Sequence, residues 1–235
     1  MIQMKSLQKV VVISEALKQY MIDLYPMYKD KFFVAHDGAD EVKQFNKIDL
    51  KGDASKIKIG YVGHLYKGKG MEVIANIVNK LPLCEFHIVG GLEEDVKTWQ
   101  KEINAKNIYF YGFVAQNKVS LYINSFDIVL LPNQKVILPN GAKSIQSNIS
   151  QFTSPLKMFE YMAHKKAIVA SNLAVLKEVL SDDTAVFAIS DNYDDWVKQI
   201  TLLVEDSVLR NKIANNAFKE FKKYTWKVRA KNVTE

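Results

Sequence analysis

The sequence predicts an α/β fold: a doubly wound parallel sheet of six strands, preceded by a smaller two-strand piece. Three observations predict it. Short apolar runs alternate with segments of helical periodicity up to about residue 190. The runs are almost continuously apolar, as strands covered on both faces must be. Glycines recur where a run gives way to a helix, at Gly63 and at Gly90 and Gly91, which is where a parallel sheet turns its chain back.

The expected strands are "KVVVIS" (9–14), "KFFVAH" (31–36), "KIKIGYV" (56–62), "EFHIVG" (85–90), "IYFYG" (108–112), "DIVLL" (127–131), "KAIVAS" (166–171) and "TAVFAI" (184–189). Helical patterns fall near 71–80, 93–105, 116–125, 155–164 and 173–181, and the chain reads as helical from 192 onward. The polar stretch "QFNKIDLKGDASK" (44–56) separates the two-strand piece from the six-strand unit. At about 45 residues that piece is too small to bury a core of its own.

Composition narrows the classes. With 48% hydrophobic and 25% charged residues in 235, a packed core is expected and disorder is not. The single cysteine, Cys84, excludes a disulfide framework and a cysteine zinc site, and fits a reducing, cytoplasmic setting. No apolar run approaches the ~20 residues that span a bilayer. The net charge of +6 suits an anionic partner, whether phosphate, nucleic acid or lipid headgroup. His36, His64, His87 and His164 lack metal-ligand spacing, and no Asp-x-Asp pair occurs, so no bound metal is expected.

In such sheets ligands lie beyond the carboxyl ends of the strands. There the loop "GHLYKGKG" (63–70) offers glycines for close approach, with donors from His64, Lys67 and Lys69. It can cradle a phosphate, or it is a solvated turn. "GG" at 90–91 opens another helix, and a tight strand–helix turn accounts for it equally well. In "FTSPLKMFEYMAHKK" (152–166), Ser154 is the expected N-cap and Pro155 suits the first turn. Lys157 then sits against the positive end of the helix dipole, a conflict an anion would relieve and solvent exposure would merely soften. Leu156, Phe159, Met162 and Ala163 form the expected apolar stripe. Glu160, at its edge, is either a ligand for sugar hydroxyls or a surface carboxylate.

These segments resemble a family. "TSPLKMFEYMAHKKAIVASNLAVLKEVL" is similar to the donor-site signature of family-4 (group 1) retaining glycosyltransferases, and "IGYVGHLYKGKGMEVI", "FHIVGG", "IYFYGFV", "DIVLLPNQ" and "YTWKVRA" follow in the same order. The resemblance spans roughly residues 9–231. It implies a GT-B architecture, two facing Rossmann-like domains of which the C-terminal one binds a nucleoside-diphosphate sugar. Residues 1–50 would be the remnant of an N-terminal acceptor domain and linker, and 51–235 the donor-binding domain. That leaves either a truncated chain or a half enzyme completed by a separate acceptor-domain chain. Self-association through residues 1–43 is the further expectation.

By the same resemblance Lys69 pairs with the diphosphate, with the Gly63 backbone, Gly90 and Gly91 close by. His64 stands at the leaving group, where the family often has arginine. Glu160 binds the nucleotide ribose. Ser154, Pro155, Leu156 and Lys157 surround the distal phosphate, and Phe113 and Val114 flank the base. Phe152 occupies the position of a second family glutamate. The acceptor would be a glycan or lipid-linked sugar, no cofactor and no nucleic acid would be needed, and the setting would be cytoplasmic, at most peripheral to the inner membrane face. A non-catalytic nucleotide-sugar-binding or partner subunit is the alternative. The polar loop 133–151 is expected to be disordered without ligand.

Overall fold

The computed structural model describes residues 7–137 and 148–234; most of the polar loop named above, residues 138–147, lies outside them. All eight expected strands are present. β1 (Val10–Val12) and β2 (Phe32–Val34) pair in parallel around α1 (Glu15–Leu24) as a separate two-stranded sheet. The main sheet contains β3 (Ile57–Val62), β4 (Cys84–Val89), β5 (Ile108–Gly112), β6 (Ile128–Leu131), β7 (Ala167–Ser171) and β8 (Val186–Ala188). Its order is β5-β4-β3-β6-β7-β8 and every pairing is parallel. The order reverses between β3 and β6, which opens a crevice at the carboxyl ends of those strands.

Alternation along the strands sends side chains to two cores. Ile59, Phe86, Ile128 and Val169 face α2 (Met71–Ile77) and α7 (Tyr193–Glu205), whose Trp196 is fully buried. Val129, Leu131, Ile168 and Ala170 face α5 (Leu156–Ala163) and α8 (Ser207–Phe221). α3 (Glu93–Glu102), α4 (Gln116–Ser125) and α6 (Ala174–Lys177) complete the crossovers.

Several elements differ from expectation. β1 and β2 are three residues each, because a two-stranded sheet has no further neighbours to propagate its ladder. α6 has four residues rather than nine; Val179 and Leu180 continue as a buried turn closed by bonds to Leu176 O. The C-terminal helix is broken after Phe221 and resumes as α9 (Trp226–Thr234). The break lets the chain reach the N-terminal piece. There Ala39 donates to Tyr224 O, Trp226 donates to Ala39 O, and Arg229 donates to His36 O while pairing with Asp37. The segment 44–53 is stitched down as well, through Asn124 to Asn46 O and Ile48 N–H to Ser125 Oγ.

Candidate functional site

The site is built at the start of α5. Pro155, not Ser154, occupies the cap position, in an extended conformation and without a side-chain cap bond. Pro155 takes an extended ψ of 114°, so the helix begins one residue later, and Ser154 Oγ is left buried with no partner. The N–H groups of Leu156 and Lys157 form no hydrogen bond among the described residues. Unpaired donors at a helix start favour an anion.

The buried stripe of α5 is Met158, Phe159, Tyr161, Met162 and Ala163, broader than the sequence pattern suggested because both the sheet and α8 cover it. Leu156 falls off that stripe and is 50% exposed, at the rim of the crevice. Lys157 does not point to solvent. Its ammonium lies 3.9 Å from the centre of the Tyr61 ring. Burial, and then the nearby Lys69, push its pKa well below the ordinary lysine value, against a weaker pull from Glu160. Lys69 is half-buried and also shifted down by burial, with its ammonium 5.3 Å from the Tyr66 ring. Neither lysine forms an ion pair among the described residues. Two cations are thus gathered beside free backbone donors with no carboxylate between them.

The loop that presents Lys69 is held tightly. Tyr61 Oη donates to His64 O at 2.6 Å and lies 3.2 Å from Lys69 O. Trp99 Nε1 donates to Leu65 O, and Gln134 N–H donates to Gly68 O. Gly63 sits at φ 141°, a conformation side chains rarely adopt, and its Cα face lies against the Lys157 side chain, where an added Cβ would be 3.5 Å from the Nζ, an ordinary contact. Gly90, at φ 107°, is required by the same loop: a Cβ would stand 2.4 Å from Gly63 O. Gly91 likewise lies against Leu65. His64 is exposed and rests near the Tyr66 ring.

Glu160 is half-buried one turn into α5 and accepts a 3.3 Å hydrogen bond from Gln116 at the start of α4. Burial raises its pKa, opposed by the Gln116 bond and by Lys157. It lines a cleft of about 500 Å³ between residues 38–44, α4 and α5. Phe113, 85% exposed, and the half-buried Val114 directly follow β5. The structure therefore brings Gly63, Lys69, Ser154, Pro155 and Lys157 together, with Glu160 a turn away and His64 at the edge. Tyr61, Tyr161 and Gln116 escaped the sequence reading. The signal for Tyr61 was a lone phenol near the end of a buried strand, two residues before the glycine loop.

The other histidines are structural. His164 bonds Asn124 Oδ1 at 2.7 Å, and burial lowers its pKa to about 4. His87 is stacked among Tyr109, Tyr111 and Phe126. Among the described residues no group of three or more His, Cys, Asp or Glu is arranged to hold a metal.

By its parallel sheet and strand order the domain is of the doubly wound α/β class, in which ligands lie beyond the carboxyl ends of the strands at the reversal of order. A family model described as glycosyl transferases group 1 matches residues 56–206, and the chain belongs to that family. An uncharacterized glycosyltransferase of Methanocaldococcus jannaschii is 29% identical over 236 residues, covering 95% of this chain and 56% of the relative. An uncharacterized 41.2 kDa protein in the cps region of Klebsiella pneumoniae is 22% identical, covering 72% and 42%. The chain thus spans about half the length of these curated relatives. Among solved structures, HepE of Anabaena, crystallised with UDP and glucose, superposes with a TM-score of 0.75 at 16% identity, covering 97% of this chain and 62% of that one. Sucrose-phosphate synthase of Thermosynechococcus elongatus gives 0.75 at 16%, covering 97% and 58%. The fold is that of a C-terminal Rossmann-like domain of GT-B glycosyltransferases. No helix among the described residues is long and apolar enough to cross a membrane.

Proposed function

We propose that this chain is the donor-binding half of a metal-independent glycosyltransferase that moves a hexose from a nucleoside diphosphate to a glycan or lipid-linked acceptor, with retention of configuration. The observation that carries the reading is the pair Lys69 and Lys157, half-buried, shifted down in pKa and without an ion pair, beside the free N–H groups of α5. A diphosphate supplies the missing negative charge. It gains most as the glycosidic bond breaks and the leaving group takes up charge, so these donors favour the transition state over the bound ground state. Removing one such donor typically costs ~2.7–4 kcal/mol in the barrier.

The remaining roles belong to the same reading. Glu160 and its partner Gln116 meet the ribose hydroxyls, Ser154 Oγ finds its partner in a distal phosphate oxygen, and Phe113 and Val114 flank the base, with Gly90 and Gly91 at the floor. His64, at the mouth of the loop, is a donor toward the leaving group. We assign no protein nucleophile. UDP is the first donor nucleotide to test, because HepE was crystallised with it. The setting we propose is cytoplasmic, at the membrane face where lipid-linked acceptors are found. Residues 1–43 then dock an acceptor-domain chain or a second copy, through the exposed Tyr20, Leu24 and Met27.

Calorimetric titration of UDP, ADP and GDP beside their nucleosides tests the reading. Lys69→Ala is expected to weaken the preferred diphosphate on the order of ten- to a hundredfold and leave the nucleoside alone, as loss of a charge-assisted phosphate contact should. Equal losses for both, or no diphosphate binding by the unaltered chain, would overturn it. A second reading, a non-catalytic binding subunit, rests on His64, which stands at the leaving-group position where the family often has arginine. Anomer-resolved detection of sugar release from the donor, alone and with an added acceptor-domain chain, separates the two.

A further inference from the structure

We infer that Tyr61 is the positioning residue of the diphosphate site, setting both lysines at once through two different parts of one side chain. The inference rests on the donor-binding reading above and adds to it a residue that touches no ligand.

Tyr61 is the penultimate residue of β3 and fully buried. Strand alternation puts it on the same face as Ile57 and Ile59, where a leucine or phenylalanine would pack as well. A buried phenol is retained only if its hydroxyl is satisfied. Here both acceptors belong to the phosphate loop: His64 O at 2.6 Å and Lys69 O at 3.2 Å. A hydroxyl has one hydrogen to give, so it serves the closer carbonyl and shares with the farther one. In doing so it ties together the first and last turns of the loop 64–69. Burial raises the phenol pKa well above its ordinary value, so the group stays a neutral donor throughout the range in which proteins work.

The ring does the second task. The Lys157 ammonium lies 3.9 Å from the ring's centre and has no carboxylate partner among the described residues. The ring's negative face holds the cation in place without neutralising it. A glutamate in the same role would hold it more firmly and also cancel the charge that a diphosphate needs. From the opposite side of the strand, Tyr161 Oη accepts the Val62 N–H at 2.8 Å, which fixes the end of β3 to α5 itself. The two lysines come from loop and helix, 88 residues apart in sequence, and Tyr61 is the side chain in contact with both settings. A merely structural tyrosine would not divide its hydroxyl and its ring between the two cationic elements of one site.

Two variants separate the two tasks. Tyr61→Phe keeps the ring and removes the hydroxyl; Tyr61→Leu removes both. Each is combined with Lys69→Ala and Lys157→Ala, and UDP and uridine are titrated by calorimetry. Tyr61→Phe is expected to weaken UDP on the order of three- to tenfold, the loss of one hydrogen bond, with uridine unchanged. That loss should vanish in the Lys69→Ala background, because the hydroxyl acts through the loop that presents Lys69. The additional loss in Tyr61→Leu should vanish in the Lys157→Ala background. Additive effects in both backgrounds, or parallel weakening of uridine, would make Tyr61 an ordinary core residue and overturn the inference. So would an unchanged UDP affinity in Tyr61→Phe while Lys69→Ala loses UDP, a result that leaves the donor-binding reading intact. If Tyr61→Leu fails to fold, the Tyr61→Phe and Lys69→Ala cycle decides alone.

Discussion

The molecule buries lysines in two places and treats them in opposite ways. Under the β3–β5 half of the sheet, Lys58 is 8% exposed and paired with Glu85, while its ammonium also donates to Asp53 O. The Glu85 carboxylate is further held by Asp53 N–H at 2.8 Å and by Tyr109 Oη. Nearby, Lys166 donates to Asn124 O and Phe126 O, both at 2.8 Å, and burial brings its pKa down to about 8. At the carboxyl ends of the strands, Lys69 and Lys157 have aromatic neighbours but, among the described residues, no ion pair. Desolvating a charge without pairing it costs stability. Where burial serves the fold, each ammonium meets a carboxylate or carbonyl oxygens; where it meets neither, a ligand is the natural completion.

The largest expected effect breaks the paired side. Glu85→Ala strands the Lys58 ammonium in the interior and should lower the unfolding free energy by about 3–5 kcal/mol, as loss of one partner of a buried pair does. Urea unfolding measures it, and UDP affinity of the folded fraction should not change. A loss under 1 kcal/mol would mean that water reaches Lys58 and that the contrast between the two lysine sets is false. The unpaired side should behave the other way round. Lys157→Met keeps the stem and removes a cation held at a cost, so the urea midpoint should hold or rise. UDP affinity should fall on the order of ten- to a hundredfold, the worth of a charge-assisted contact. A drop in stability with unchanged UDP binding would place Lys157 among the structural lysines.

The contrast was only half legible in the sequence. The eight strands and the crossover helices were readable because apolar runs and helical periods have fixed spacings; the loops 63–70 and 154–157 stood out at strand ends, but their residues fitted a solvated turn as well as a phosphate cradle, and only the family resemblance gave them a role. Pairing is another matter. Nothing in the one-dimensional pattern distinguishes Lys58, in the strand "KIKIGYV", from Lys69, in the loop "GHLYKGKG", as to which will meet a carboxylate. Glu85 reaches Lys58 only because β4 lies beside β3 in a register that sets Lys58 opposite Glu85. The cap of α5 was misread for a related reason: Ser154 had the right chemistry, but Pro155 decided where the helix could begin. The orientation of Leu156 was equally hidden, since which face α5 buries depends on α8, a helix some fifty residues further on.

Glu160 lies between the two behaviours and gives the smallest effects. It is half-buried with one weak partner, Gln116, and burial raises its pKa above the ordinary carboxylate value. A raised pKa means that the folded chain binds its proton more tightly than the unfolded chain does. Between the ordinary carboxylate value and the raised one, the native state therefore carries more protons, and stability falls as pH rises. Above that window the charged Glu160 is a standing cost; below it the group is neutral in both states and the cost is gone. Glu160→Gln, which cannot ionise, should then equal the unaltered chain in stability below about pH 4, where carboxylates are mostly protonated, and exceed it slightly at pH 7. Its affinity for UDP should fall by about tenfold, the value of a charged over a neutral hydrogen bond to a hydroxyl. The two readouts move in opposite directions only if the carboxylate is kept ionised for a ligand. Thermal unfolding from pH 3.5 to 8, beside UDP titrations at pH 7, tests the pair. If Glu160→Gln is less stable at pH 7 and binds UDP as tightly as before, Glu160 belongs with Glu85 on the structural side.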